Sequence, residues 1–196
     1  TFQNLPSKLH ISCVLAALAT VHILGEDAQA AARRLKQFKP PTGFLSQHTS
    51  GSGTLVFNDS AGATPQSMHV GLKLLAAAKG QKKTAILGDM PELGGHKATI
   101  YRAIGRRVAS SANTLVTIGD DIRLAQESAL ESNSPIDTHH FQTAKDARKW
   151  LQPTLKKSDT ILIAGEKEME LGKILEINPQ PHGGSNPDFQ DENLVS

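Results

Sequence analysis

At 196 residues the chain can bury the core of one sizeable α/β domain plus a fragment, and it falls short of two full domains. Its 21 Lys and Arg nearly balance 19 Asp and Glu, with the basic residues scattered in pairs (Arg33/Arg34, Lys82/Lys83, Arg106/Arg107, Lys156/Lys157), and one Trp and one Tyr give no platform for stacking bases, so no nucleic-acid partner is expected. A single cysteine, Cys13, excludes an intrachain disulfide, and no apolar run is long enough to cross a bilayer, so a cytoplasmic setting without a membrane partner is expected.

The chain opens on Thr1 rather than Met and leads straight into a helical pattern, which raises the expectation of a longer parent, with processing as the alternative. Ile11, Val14, Leu15, Leu18, Val21 and Leu24 recur at helical spacing and predict a buried or nearly buried helix ended by Gly25. A second helix is predicted over 27–38, with Ala28, Ala31, Ala32, Leu35 and Phe38 as its inner stripe. Lys39-Pro40-Pro41-Thr42-Gly43 then breaks regular structure and reads as an interdomain connection. Two helices make a poor independent domain, so residues 1–39 are read as the helical tail of a domain whose body is missing.

After the connection the period changes. Phe44 to Thr49 and Thr54 to Phe57 predict a β pair around Ser50-Gly51-Ser52-Gly53. The second of these strands runs into a polar bend, Asn58 to Ala63, after which Thr64 as N-cap and Pro65 at the first helical position open a helix to Ala78 with Met68, Leu72 and Leu75 inward. Such a bend sits at the carboxyl end of a strand and faces a helix N-terminus, the place where open α/β sheets bind phosphates and sugars; an ordinary βα turn is the competing reading. Strands at 84–87, 115–118, 138–141 and 160–163 alternate with helices at about 98–110, 122–131, 144–155 and 168–177. Alternation of this kind implies right-handed crossovers and a mostly parallel sheet: an α/β, Rossmann-like three-layer sandwich over residues 40–178, preceded by the helical remnant. The segment 179–196, rich in Pro, Gly and acids, is expected to be disordered.

Two stretches invite functions that their spacing does not support. Gly88-Asp89-Met90-Pro91-Glu92-Leu93-Gly94-Gly95-His96-Lys97 lacks both the spacing and the Ser/Thr of a Walker phosphate loop, and no strand-to-helix junction carries Gly-x-Gly-x-x-Gly. His139 and His140 are adjacent on a strand, so their side chains point to opposite faces and do not share an ion; no metal ligands and no catalytic residues are assigned. His96, in the glycine-rich loop, is better placed for function, with a polar loop residue as the competing reading.

The segment Ile86-Leu87-Gly88-Asp89-Met90-Pro91-Glu92-Leu93-Gly94 resembles the Val-x-Gly-Asp-Met-x-Glu-Leu-Gly signature of the Mur ligase family, in its D-alanyl-D-alanine-adding branch. Pro6 to Ala17, Asn58 to Met68 and Thr160 to Lys167 resemble further segments of that family in the same order, so the likeness runs from Leu5 to about Ile177. It implies a C-terminal Rossmann-like domain following a central ATPase domain. It also implies an enzyme that phosphorylates a carboxylate of a UDP-muramyl peptide with ATP and Mg and joins D-Ala-D-Ala to it in peptidoglycan synthesis. ATP and Mg would be bound mainly by the central domain, most of which is not in this sequence, so the isolated chain is expected to be inactive. On the resemblance, Asp59, Ser60 and Thr64 line the nucleotide and acyl-phosphate side, Lys167 is a cation for phosphate or carboxylate, and Asp89 and Glu92 are weaker candidates.

The departures fall on ligand-facing types. The family's first Asp is Asn58, its Tyr is Ala61, and its two Asn are Gly62 and Thr64; Gly-Arg after the linker is Gly43-Phe44, and the late Lys-Gly-Ser-Arg is Ala164-Gly165-Glu166-Lys167. Losing amides and guanidinium forks removes hydrogen-bonding surface that the replacements do not restore. A non-catalytic Mur-ligase-like interaction module with a degenerate ligand site is therefore the alternative, and a generic Rossmann cofactor binder is disfavoured by the missing glycine fingerprint.

Overall fold

The computed structural model describes residues 8–36, 38–50, 53–90, 93–156 and 159–175. Helices α1 (Lys8–Ile23) and α2 (Ala28–Leu35) come first, and the Asp27 carboxylate caps α2 by accepting from the Gln29 and Ala30 amides. Six strands follow: β1 (Ser46–Thr49), β2 (Leu55–Asp59), β3 (Lys83–Gly88), β4 (Thr114–Ile118), β5 (Asp137–Phe141) and β6 (Thr160–Ala164). Between them lie α3 (Pro65–Ala77), α4 (Lys97–Ala109), α5 (Arg123–Leu130) and α6 (Ala144–Leu151). The sheet order is β1-β2-β6-β3-β4-β5, antiparallel only between β1 and β2.

The order explains the layers. Chain steps from β2 to β5 move one way across the sheet, and right-handed crossovers put α3, α4 and α5 on one face, where Met68, Leu72, Leu75, Tyr101, Ile104, Val108 and Ile122 pack on Phe57, Leu87, Leu115 and Leu162. The return from β5 to β6 runs the other way, so α6 falls on the opposite face, where Ala147 and Leu151 meet Val56, Ile86, Val116, Ile161 and Ile163. The central strands are buried on both faces, as a parallel sheet covered on both sides requires. Helix α4 comes so near α5 that a Cβ on Gly105 would run into the Ala125 carbonyl.

The α/β sandwich and the alternation of elements match the sequence expectation, and four local expectations are corrected. Helix α1 is not a buried element: Val14 alone among its described side chains is buried, and Leu15 and Ile23 are 60% and 81% exposed. Helix α2 has no buried residue, and Phe38 beyond it is exposed. Periodicity marks a face, and the described residues do not cover it. The helix expected over 168–177 is two 3₁₀ turns, Lys167–Met169 and Leu171–Leu175, separated at Glu170, whose φ of 52° leaves the helical region. Packing sets that break, since Met169 and Leu171 close on Gly88 so tightly that a Cβ there would lie 2.7 Å from the Met169 sulfur. The expected first strand is shortened to Ser46 because buried Leu45 has a φ of 49°. Expectations for 179–196 lie outside the described residues.

Candidate functional site

The carboxyl ends of β2, β6 and β3 are neighbours, and the loops leaving them are laced together through the backbone. Gly165 N donates to Asp59 O at 3.3 Å, Ala63 N to Gly165 O at 3.1 Å, and Glu166 N to Asp89 O at 2.9 Å. The fold thus brings Asp59, Ser60, Thr64, Asp89 and Lys167 to one edge of the sheet; Glu92 lies outside the described residues.

The two acids are tied into structure. Asp59, buried at the end of β2, accepts from the Leu45 amide at 3.0 Å and from the Ser67 hydroxyl at 2.5 Å, so one carboxylate joins the entry to β1, the bend and α3. Burial pushes its pKa up from 3.8, opposed by those two hydrogen bonds and by the charge of His10. Asp89 accepts from the Ile122 amide at 2.7 Å and the Asp120 amide at 3.0 Å, and so holds the turn that leads into α5. Its pKa is also raised, by burial first, with the amides opposing. Beside it the Met90 amide donates to the Tyr101 hydroxyl at 2.7 Å, and burial lifts that phenol to about 12.

The bend is closed by local chemistry. Asn58 Oδ1 accepts from the Ser60 amide at 3.1 Å, an Asx turn. Thr64 caps α3: its hydroxyl accepts from Ser67 N at 3.1 Å while Ser67 Oγ accepts from Thr64 N at 2.9 Å, with Pro65 opening the helix. Sequence reasoning places Thr64 and Pro65 correctly but misses Ser67, because the familiar capping box has Glu or Gln at that position and a Ser gives little signal. It also misses Tyr101, whose only mark in the sequence is being the one tyrosine.

What faces outward is modest. Ser60 is half-buried, Thr64 and Lys167 are exposed, and within the described residues neither the Ser60 hydroxyl nor the Lys167 ammonium has a hydrogen bond or ion pair. No group of three or more metal-ligating side chains occurs among the described residues. His139 and His140 do point apart: His139 lies on Trp150 of α6 with ring centroids 4.0 Å apart and meets Asp137 at 3.0 Å, while His140 Nδ1 is 3.0 Å from Thr117 Oγ1. No helix of the described residues is long and apolar enough to cross a membrane.

A mostly parallel six-stranded sheet of this order, flanked by helices on both faces, defines an α/β, Rossmann-like domain. Residues 45–167 match the family described as Mur ligase, glutamate ligase domain, and the chain belongs to that family. It matches the C-terminal domain of MurF-like peptidoglycan ligases. The UDP-N-acetylmuramoyl-tripeptide--D-alanyl-D-alanine ligase of Bacillus subtilis (strain 168) is 27% identical over 176 residues, covering 89% of this chain and 38% of the relative. That of Treponema pallidum (strain Nichols) is 25% identical, covering 87% and 37%. MurF from Acinetobacter baumannii superposes with a TM-score of 0.72 at 24% identity, over 86% of this chain and 37% of that one. MurF from Thermotoga maritima in complex with ADP gives 0.66 at 22%, over 83% and 36%. The chain therefore spans little more than a third of the length of the relatives it matches.

Proposed function

We propose that this chain serves as the C-terminal domain of a MurF-like ATP-dependent amide ligase, closing over a nucleotide held mainly by a central domain and presenting D-Ala-D-Ala to a UDP-muramyl peptide. The observation that carries this reading is the convergence of the Asn58–Thr64 bend, Gly165–Lys167 and Asp89 at one sheet edge in a chain of this family. The described residues fit the edge of a phosphate site and not a whole one: Lys167 is an exposed cation, and the N-terminus of α3 lies behind the bend. Bound ATP supplies the phosphoryl group that activates the substrate carboxylate for attack by the incoming amine. Lys167 offsets negative charge on a phosphate or carboxylate, Ser60 offers its hydroxyl to ribose or phosphate oxygens, and Thr64, its own hydroxyl held in the cap, fixes the N-terminus of α3 beside them. Asp59 and Asp89 act on the same groups from behind, fixing the loops that carry them. Helices α1 and α2 belong, on this reading, to the central domain, a role supported by the uncovered apolar side chains Ile11, Leu15, Ile23 and Leu24.

The test is a chimera in which the matching region of the Bacillus subtilis relative is replaced by this chain. Amide formed from ATP, UDP-muramyl tripeptide and D-Ala-D-Ala, and lost in large part on Lys167→Ala, is the expected result, while the chain by itself forms none. A folded chimera that makes no amide favours a second reading, a non-catalytic interaction module. That reading is supported by Ala61 and Gly62 in the bend, which offer no side-chain donor, and by the Asp59 carboxylate, which is already held on both oxygens. Micromolar nucleotide or D-Ala-D-Ala binding in a calorimetric titration counts against the module.

A further inference from the structure

Of the 21 Lys and Arg in the chain, eight fall between residues 60 and 119, against two of the 19 acids. Six of them, Lys73, Lys79, Lys82, Arg102, Arg106 and Arg107, sit on α3, on the turn after it, or on α4. They look scattered along the sequence, but α3 and α4 pack side by side on the same face of the sheet. Five are exposed and Arg107 is half-buried, and none forms an ion pair among the described residues. The charges meet across the helix pair at His69 of α3, whose pKa is lowered by burial and then by Arg107 and Lys73. Acids return at Asp120 and Asp121 in the turn before α5, where Asp121 pairs with Lys97 of α4 at 2.6 Å, and at the exposed Glu127 on α5 and Glu131 just after it. Unneutralised like charge repels itself, and a polyanion facing it relieves that repulsion.

We propose that the α3–α4 face docks peripherally on an anionic lipid bilayer through these six cations. Shape and composition favour lipid over nucleic acid. Two helices side by side present a broad ledge, whereas duplex reading needs an element that enters a groove. Single-strand binding needs exposed rings, and the one Phe, Tyr or Trp on either helix, Tyr101, is fully buried. Headgroup phosphates require only charge, which is worth about fivefold in affinity per cation near the surface. The inference stands apart from the ligase reading, since it uses none of the sheet-edge residues.

Co-sedimentation of the full chain tests it, with vesicles of phosphatidylglycerol and phosphatidylcholine in equal parts, with pure phosphatidylcholine, and with a short DNA duplex, at low and high salt. The expected result is binding to the anionic vesicles that weakens with salt, and no binding to phosphatidylcholine. R106E/R107E and K73E/K79E, each confirmed folded by its thermal transition, lower the affinity about tenfold or more. The charge-matched variant K145E/K149E, on α6 at the other face of the sheet, keeps it. Absence of binding to anionic vesicles at low salt overturns the proposal. So does an equal loss in the α6 variant, or tighter binding to the duplex that the same α3–α4 variants abolish.

Discussion

Asp59 shows how one side chain can be read correctly for place and incompletely for role. Its position after a strand was legible in the sequence; its partners were not, because Leu45 lies fourteen residues upstream and only the folded hairpin brings its amide within 3.0 Å. Removing the carboxylate in Asp59→Ala strands that buried amide, and a loss of about 1–3 kcal/mol in urea-denaturation stability is expected. Its titration has a definite sign. Burial raises the folded-state pKa above 3.8, so the folded chain binds the proton more tightly than the unfolded one. The stability of the native chain relative to Asp59→Asn therefore rises as pH falls through the raised value towards 3.8, and levels off below it. Urea midpoints of the two proteins, taken from neutral pH downward, check this; a flat difference contradicts it. Tyr101→Phe leaves the buried Met90 amide without its acceptor and is expected to cost about 1–3 kcal/mol by the same measurement.

Among the elements, those that a sequence can declare are the ones whose partners are local or whose burial is complete. Thr64 and Pro65 announce α3 through capping chemistry, and Ile161 to Ala164 announces β6 as an uninterrupted apolar run. What α1 packs against is not written in its own periodicity, and the break at Glu170 depends on how Met169 and Leu171 meet Gly88, far away in the chain. The contact between α4 and α5 gives a sharp test. Gly105→Ala improves intrinsic helix propensity by about 1 kcal/mol. It also drives a methyl group into the Ala125 backbone, and overpacking of that kind costs about 1–3 kcal/mol. A lowered thermal midpoint is expected, and a raised one would show that the helices part freely. Thr64→Ala removes the cap and should lower stability by about 1 kcal/mol, with Thr64→Ser close to neutral.

For the whole molecule, the fold class was legible because strand and helix periods alternate, whereas strand order was not, since a sequence lists strands only in the order they are made. The candidate site was legible as positions and not as a working surface: its acids Asp59 and Asp89 are anchors, and among the described residues its free groups are the Ser60 hydroxyl and the Lys167 ammonium. The small contribution of α1 and α2 to the buried interior leads to an expectation at this scale. Deleting residues 1–38 should change the stability of the sheet by about 1 kcal/mol or less, as read by hydrogen exchange of the β3 amides. The position of β6 has a consequence for how the molecule comes into being. Of the six strands among the described residues it is the last to leave the ribosome, yet it lies between β2 and β3, which have no hydrogen bonds to each other. Until residues 160–164 emerge, a nascent chain holds a β1-β2 hairpin and a β3-β4-β5 ribbon flanking an open slot, with two unpaired edges exposed to any strand that arrives first. The sixth strand is thus the keystone of assembly, and a chaperone that shields those edges would act on a sheet whose other five strands are already made.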